Sequence, residues 1–376
     1  MSKSLGNVVD PMQVIEGGNN KKKNPAYGAD VLRLWVASVD YSGDVCIGDS
    51  ILKQTFESYR KLRNTARYLI GNLADYDPTT HKIPYEELPS LDKYMLGRLS
   101  SMMNSVQKAY DQYQFYKATQ EIVKFANADL SNFFLDVAKD RLYTSAKDDF
   151  RRRSCQTVLE MCLMGLAKAI SPILPHMAED IWQNLPFLAG SQSVFEGGWP
   201  SELAEYDEFD QEMWSRVRIL RDDINKQLEI ARTDKIIGAS LDAALYIHTD
   251  DKNLHQMLKR LESDEFIKHP PEKNNGVDDL RTIFMISQVH LVNSEETVKN
   301  ACNEKYVSKG GLSGCTVGVS KAAGNKCGRC WFYDTKVGQV GHKHKDLCQR
   351  CADAVDKWET VNMETAGIIT ESVAKG

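Results

Sequence analysis

The sequence predicts a mainly α-helical protein: an antiparallel helical bundle, then a small α/β module, then a C-terminal metal knuckle. Three observations carry this reading. Apolar residues recur at steps of three and four from about residue 51 to 185. Two later stretches, 241–247 and 282–292, lose that period and read as strands. Near the end, Cys327-Gly328-Arg329-Cys330 is followed, after a seventeen-residue gap, by Cys348-Gln349-Arg350-Cys351.

Two C-x-x-C turns at that separation are a zinc signature. Each turn aims two thiolates at one point, and the intervening loop brings the second turn back to complete a tetrahedron. Four sulfur ligands close the coordination shell, so the metal is expected to hold structure rather than perform chemistry. The other five cysteines (Cys46, Cys155, Cys162, Cys302, Cys315) show no such pairing. His342 and His344 lie in the loop and are read as loop residues, since the four thiolates already satisfy zinc.

Taken in order, the chain begins Met1-Ser2-Lys3-Ser4-Leu5-Gly6-Asn7-Val8-Val9-Asp10-Pro11, with a turn at Gly6-Asn7 and a helix start at Pro11. A Gly- and Lys-rich loop to Pro25 precedes a helix over 28–38. The next helix, about 51–73, carries an apolar face of Tyr59, Leu62, Ala66, Leu69 and Leu73, with Arg60, Arg63 and Arg67 on another face beside Lys61. A proline-containing break leads to helices over 92–110, 115–142, 152–170 and 176–185, the first of these capped at Ser90 or Asp92. Long helices with short links read as a bundle. Gly197-Gly198-Trp199-Pro200 marks a boundary, and a further helix over 210–232 leads into the α/β module, with a helix over 254–261 between its strands. A strand over 316–320 enters the knuckles and a helix over 352–361 leaves them. The predicted division is 1–49, 50–205, 206–300 and 301–376.

The 376 residues are 42% hydrophobic and 26% charged, with a net charge of −5. That is globular material for two or three domains. No apolar run approaches the ~18 residues that span a bilayer, and no membrane partner is expected. The N-terminus lacks the apolar core of a secretory signal. Nine cysteines, four of them in a metal pattern, fit a reducing compartment. From Lys299 onward there are 12 Lys and Arg against 8 Asp and Glu, so a basic tail follows an acidic body and points to an anionic partner.

Several of these stretches together resemble isoleucyl-tRNA synthetase of the bacterial or organellar type. Met1-Ser2-Lys3-Ser4 looks like the last four letters of the class I signature Lys-Met-Ser-Lys-Ser, and residues 5–11 continue as in that family. Asp30 to Ser38 is similar to the helix after the signature loop, and Tyr59-Arg60-Lys61-Leu62-Arg63-Asn64-Thr65 to the opening of the anticodon-binding helical domain. Asp129-Leu130-Ser131, Asp140-Arg141-Leu142-Tyr143 and the Cys-x-Arg-Cys-Trp knuckle complete the set. Leucyl and valyl enzymes lack this terminal knuckle. A similar Cys pair closes the formamidopyrimidine-type DNA glycosylases, which need an N-terminal proline after the initiator Met, where this chain has Ser2.

The resemblance implies a ligase that activates isoleucine with ATP and Mg²⁺ and transfers it to tRNA(Ile). Lys3 is then the catalytic cation that follows the departing pyrophosphate, with Ser2 and Ser4 as further ATP contacts. Arg60, Lys61, Arg63 and Arg67 are implied to lie along tRNA phosphates. Arg329, Trp331 and Arg350 are implied to touch the anticodon arm, Trp331 in part structural and the two arginines facing RNA. The eight histidines do not supply the family's His-Ile-Gly-His. The chain is therefore expected to be the tRNA-binding C-terminal part, monomeric and unable to form the adenylate alone. It is expected in a bacterial-type cytoplasm, or in a plastid or mitochondrial matrix. The alternative is a stand-alone zinc RNA-binding protein.

Overall fold

The computed structural model describes residues 3–20, 22, 24–187, 190–200, 206, 210–261, 279–338 and 343–360. The chain divides into two compact units. One comprises Met1–Tyr85, Met95–Asp136 and Gln156–Phe209; the other comprises Glu86–Tyr94, Val137–Cys155 and Asp210–Gly376.

The first unit is helical. Pro11–Glu16 starts on proline and is capped by the Asp10 carboxylate, which accepts from Met12 N at 2.9 Å. Ala29–Ser38 follows, with Asp30 buried in its first turn. The Asp30 carboxylate accepts from Arg33 Nη1 at 2.8 Å and from Met177 N at 2.9 Å, at the start of the Pro175–Gln183 helix. Asp49–Asn72 buries Leu62, Ala66 and Leu69 as its period predicts. Leu96, Leu99, Phe125, Phe134, Leu159 and Leu163 join them in the core.

The stretch predicted as one helix over 115–142 is a single helical run with a change of winding. Phe115–Lys124 is α, Phe125–Phe134 is π and Leu135–Thr144 is α again. Ser131 Oγ donates to the Ala126 carbonyl five residues back at 2.7 Å, matching the wider turn. Within the wide stretch, buried Asp129 pairs with Arg98 at 3.2 Å.

The second unit contains the helix Gln211–Thr233, capped by Asp210, and a four-stranded sheet. Its strands are β1 (Ala243–Thr249), β2 (Gln288–Leu291), β3 (Val307–Lys309) and β4 (Cys315–Lys321), in the order β2-β1-β4-β3. β1 is parallel to β2, with Leu245 beside Val289, and antiparallel to β4, with Leu245 beside Val319. Gly318 in β4 lets the helix Glu295–Ala301 approach closely: a Cβ there would lie 2.6 Å from Val298 Cγ1.

The single strand expected over 282–292 is corrected. Leu280–Phe284 is a short helix, because Asp279 accepts from Arg281 N at 2.7 Å and caps it. Met285 in the left-handed region (φ 55°) ends it, and only Gln288–Leu291 joins the sheet. Residues 262–278 lie outside the described set. No helix among the described residues is long and apolar enough to cross a membrane.

Candidate metal centre and its surroundings

The first knuckle sits at the turn between two short antiparallel strands, Asn325–Lys326 and Tyr333–Asp334. Gly324 precedes them at φ +90°, where a Cβ would come within 2.5 Å of the Asp334 backbone. Trp331 N donates to Cys327 O at 3.0 Å and Cys327 N to Phe332 O at 2.9 Å, closing the turn. The second knuckle opens the helix over 349–360, which starts within the knuckle rather than after it. Gly328 N donates to Asp346 O at 2.9 Å and ties the two knuckles together.

All four thiols, Cys327, Cys330, Cys348 and Cys351, are buried and lie within 4.8 Å of one another. Cys330 Sγ and Cys348 Sγ are 3.7 Å apart. Sulfurs at the corners of a tetrahedron with ~2.3 Å Zn–S arms sit ~3.8 Å apart, so this spacing is that of a shared zinc ion rather than of a disulfide. Cys348 N points at Cys327 Sγ at 3.3 Å, an N–H···S contact that favours the thiolate. The four residues fit zinc, and the closed sulfur shell makes it structural. His344 is placed away from this role: its Nε2 lies 3.1 Å from Asp356 Oδ1. His342 lies outside the described residues.

The core of this module is small: the four cysteines, Phe332 and Val337, with Leu241 and Leu347 packed against them. Phe332 is the aromatic ring buried in that core. Trp331, next in line, is 61% exposed with φ +68° and has Lys326 Nζ 5.6 Å from its ring centroid. At this left-handed backbone the Trp331 ring is exposed while the neighbouring Phe332 ring is buried.

Arg329 and Arg350 occupy the same position in their knuckles, and both turn inward. Arg350 forks onto the Asp140 carboxylate, Nη2 to Oδ1 at 2.8 Å and Nη1 to Oδ2. Arg329 Nη1 donates to the carbonyl of Thr144 and lies 3.8 Å from Cys351 Sγ. Both arginines are expected to face RNA; in this structure the hydrogen-bonding edge of Arg350 is taken by Asp140.

Asp140 is the hub. It also accepts from Arg151 Nη2 at 3.1 Å and from Thr144 Oγ1 at 3.0 Å. Burial alone would raise its pKa, but the Arg350 and Arg151 guanidiniums outweigh burial and hold the carboxyl well below the usual range. Burial, with the Arg350 charge, pulls Arg151 down to about 10. Arg151 in turn offers its carbonyl to Arg141 Nε at 2.8 Å. Arg141, fully buried, forks onto Asp92 at 2.7 and 2.6 Å and reaches Ser154 Oγ at 2.7 Å. The sequence suggested Asp92 only as a helix cap and Asp140 only as part of a family resemblance, and gave Arg151 no role. The one available signal was the repeated Cys-x-Arg-Cys.

The other residues singled out from sequence lie in the first unit. Arg60, Lys61, Arg63 and Arg67 are exposed along Asp49–Asn72. Arg60 Nε pairs with Glu57 at 3.1 Å and Arg63 lies 4.0 Å from Asp180. Exposed pairs of this kind contribute ~0–1 kcal/mol, so a phosphate can replace the carboxylate at little cost. Lys3 and Ser4 belong to a 3-10 turn, Lys3–Leu5, and Ser2 lies outside the described residues.

Comparison with known proteins places this geometry. A family described as tRNA synthetases class I (I, L, M and V) matches residues 1–48, and the anticodon-binding domain of tRNA ligase matches 92–247. A zinc finger found in FPG and IleRS matches 324–354, which contains the four cysteines. The chain is a class I tRNA synthetase sequence. Isoleucine--tRNA ligase of Cyanothece sp. (strain PCC 7425 / ATCC 29141) is 50% identical over 362 residues, covering 95% of this chain and 37% of the relative. That of Crocosphaera subtropica is 49% identical over 356 residues, 94% of this chain and 36% of the relative. That of Nostoc punctiforme is 50% identical over 363 residues, with the same coverage of 94% and 36%. The chain belongs to the isoleucine--tRNA ligase family and spans a little over a third of the length of these relatives.

Proposed function

We propose that the chain is the tRNA-binding part of an isoleucine--tRNA ligase, an enzyme that activates isoleucine with ATP and Mg²⁺ and transfers it to tRNA(Ile). The observation that carries this is the buried four-thiolate centre inside a sequence half identical to those ligases over 95% of its length. Lys3 closes over the triphosphate during activation, with Ser2 and Ser4 beside it, where a compact mobile cation is worth more to the transition state than to the ground state. Arg60, Lys61, Arg63 and Arg67 line a phosphate path and set register without reading bases. Trp331, held out into solvent beside Lys326, offers a ring on which an unpaired anticodon base can stack. Arg329 and Arg350, in the same two knuckles, add positive charge toward the anticodon arm, Arg350 with its guanidinium 5.9 Å from the Phe332 ring centroid.

The test is equilibrium binding of the purified chain to tRNA(Ile) and to a non-cognate tRNA across a salt series. Preferential tRNA(Ile) binding, with a salt slope that falls when Arg60, Arg63 and Arg67 become Ala together, is the expected outcome. Equal, weak binding to both tRNAs would overturn the proposal. Isoleucine-dependent pyrophosphate exchange by this chain alone is expected to be absent.

The alternative of a stand-alone zinc RNA-binding protein shares every binding prediction and differs only in lacking a ligase partner function. A DNA glycosylase reading is supported only by residues 324–354.

A further inference from the structure

We infer that Arg329 and Arg350 form a zinc-dependent latch: metal binding at the knuckles is transmitted through Asp140 and Arg151 to the buried Arg141–Asp92 pair. The geometry has three parts. Both arginines stand at the third position of a Cys-x-Arg-Cys turn, so zinc, by fixing each turn, fixes the direction of each arginine. Both then reach the end of one helix, Leu135–Thr144. Arg350 takes the Asp140 carboxylate with two parallel N–H bonds, and Arg329 donates to the Thr144 carbonyl at the C-terminal end of that helix. Beyond Asp140 the contacts are continuous: Asp140 to Arg151, the Arg151 carbonyl to Arg141, and Arg141 to Asp92 in the first turn of Ser90–Asp111.

Charge carries the coupling. Among these partners three guanidiniums (Arg141, Arg151, Arg350) share two carboxylates (Asp92, Asp140). The zinc-bound thiolates form an anionic shell beside Arg329, whose Nη1 is 3.8 Å from Cys351 Sγ. If the knuckles loosen, the Arg350 fork leaves with them, and among the described residues Asp140 keeps Arg151 and the Thr144 hydroxyl. A buried carboxylate that loses a charged partner destabilises its surroundings strongly. Arg350 and Asp140 are thus positioning residues. They carry the state of the metal to residues 137–155 and 90–94, remote in sequence from every cysteine ligand. The latch requires the zinc site but not the RNA-binding reading, so the two can fail separately.

Native-state hydrogen exchange on the full chain tests it, with zinc bound and after chelation, in the wild type, Asp140→Asn and Arg350→Met. In the wild type, zinc removal is expected to speed exchange in 137–155 and 90–94 by about tenfold or more, alongside the knuckles themselves. In zinc-loaded Arg350→Met, with metal content verified, exchange in 137–155 is already fast, and chelation adds less than about twofold. Asp140→Asn keeps the shape of the hub and loses its charge, so it should show the same reduced coupling even if Arg350→Met fails to hold metal. Acceleration confined to 324–360 in the wild type would overturn the latch, as would Asp140→Asn retaining the full zinc effect on 137–155.

Discussion

Around Leu69, Leu99 and Leu163 the first unit buries large apolar side chains on several long helices, and their order follows from area removed from water. Around Cys327 and Cys351 the second unit has two strands of two residues, a short apolar list and four thiols. Elements that small cannot order themselves by burial, so the metal supplies what the core lacks. One chain thus uses two independent sources of stability. Perturbing one should leave the other standing.

The largest separation should come from the metal. Cys348→Ser, or a strong chelator, removes a site whose binding stabilises such modules by about 10 kcal/mol or more. Expected is loss of bound zinc and of protection over 324–360, while the helical circular dichroism of the first unit persists. Next comes the buried charge in the second unit. Arg141→Ala leaves Asp92 buried without its fork and should cost about 3–5 kcal/mol in a denaturant titration. In the apolar unit, Leu69→Ala should cost about 2–5 kcal/mol, with zinc content unchanged. A fall in zinc content with Leu69→Ala would show that the two sources are not independent.

Acid sharpens it further. Asp140 has a folded pKa below its unfolded value, so its contribution is complete above the usual carboxylate range. That contribution is lost progressively as pH falls from the ordinary carboxylate value through the lower folded one. The stability difference between wild type and Asp140→Asn should therefore be constant from neutral pH to about pH 5 and shrink below the ordinary carboxylate pKa. The smallest effect expected is at a helix start. Asp10→Ala removes a cap at Met12 N and should cost about 1 kcal/mol or less, read as a small shift in the first unit's melt.

Much of the architecture was legible in sequence. The helices at 49–72, 90–111, 150–170 and 211–233 follow apolar periods and caps that are local in the chain. The zinc ligands were legible because spacing alone encodes the geometry. The helix at 280–284 was missed although Asp279 is a capping residue, since the run of Ile, Phe and Met that follows suits a strand equally well. Its end had no signal at all: Met285 adopts a left-handed conformation without being Gly or Asn. The change to π winding at 125–134 likewise leaves no mark in the apolar pattern. The Arg350–Asp140 fork was the most hidden feature. Its partners are 210 residues apart, and an arginine on a basic module reads most simply as a contact for RNA.

The most direct measurement is X-ray absorption at the zinc edge on the purified chain, with metal content determined on the same sample. One zinc per chain, with four sulfur neighbours at about 2.3 Å and no lighter ligand, is the result predicted from the four buried thiols. A chain free of zinc, or a shell containing nitrogen or oxygen, would contradict the account.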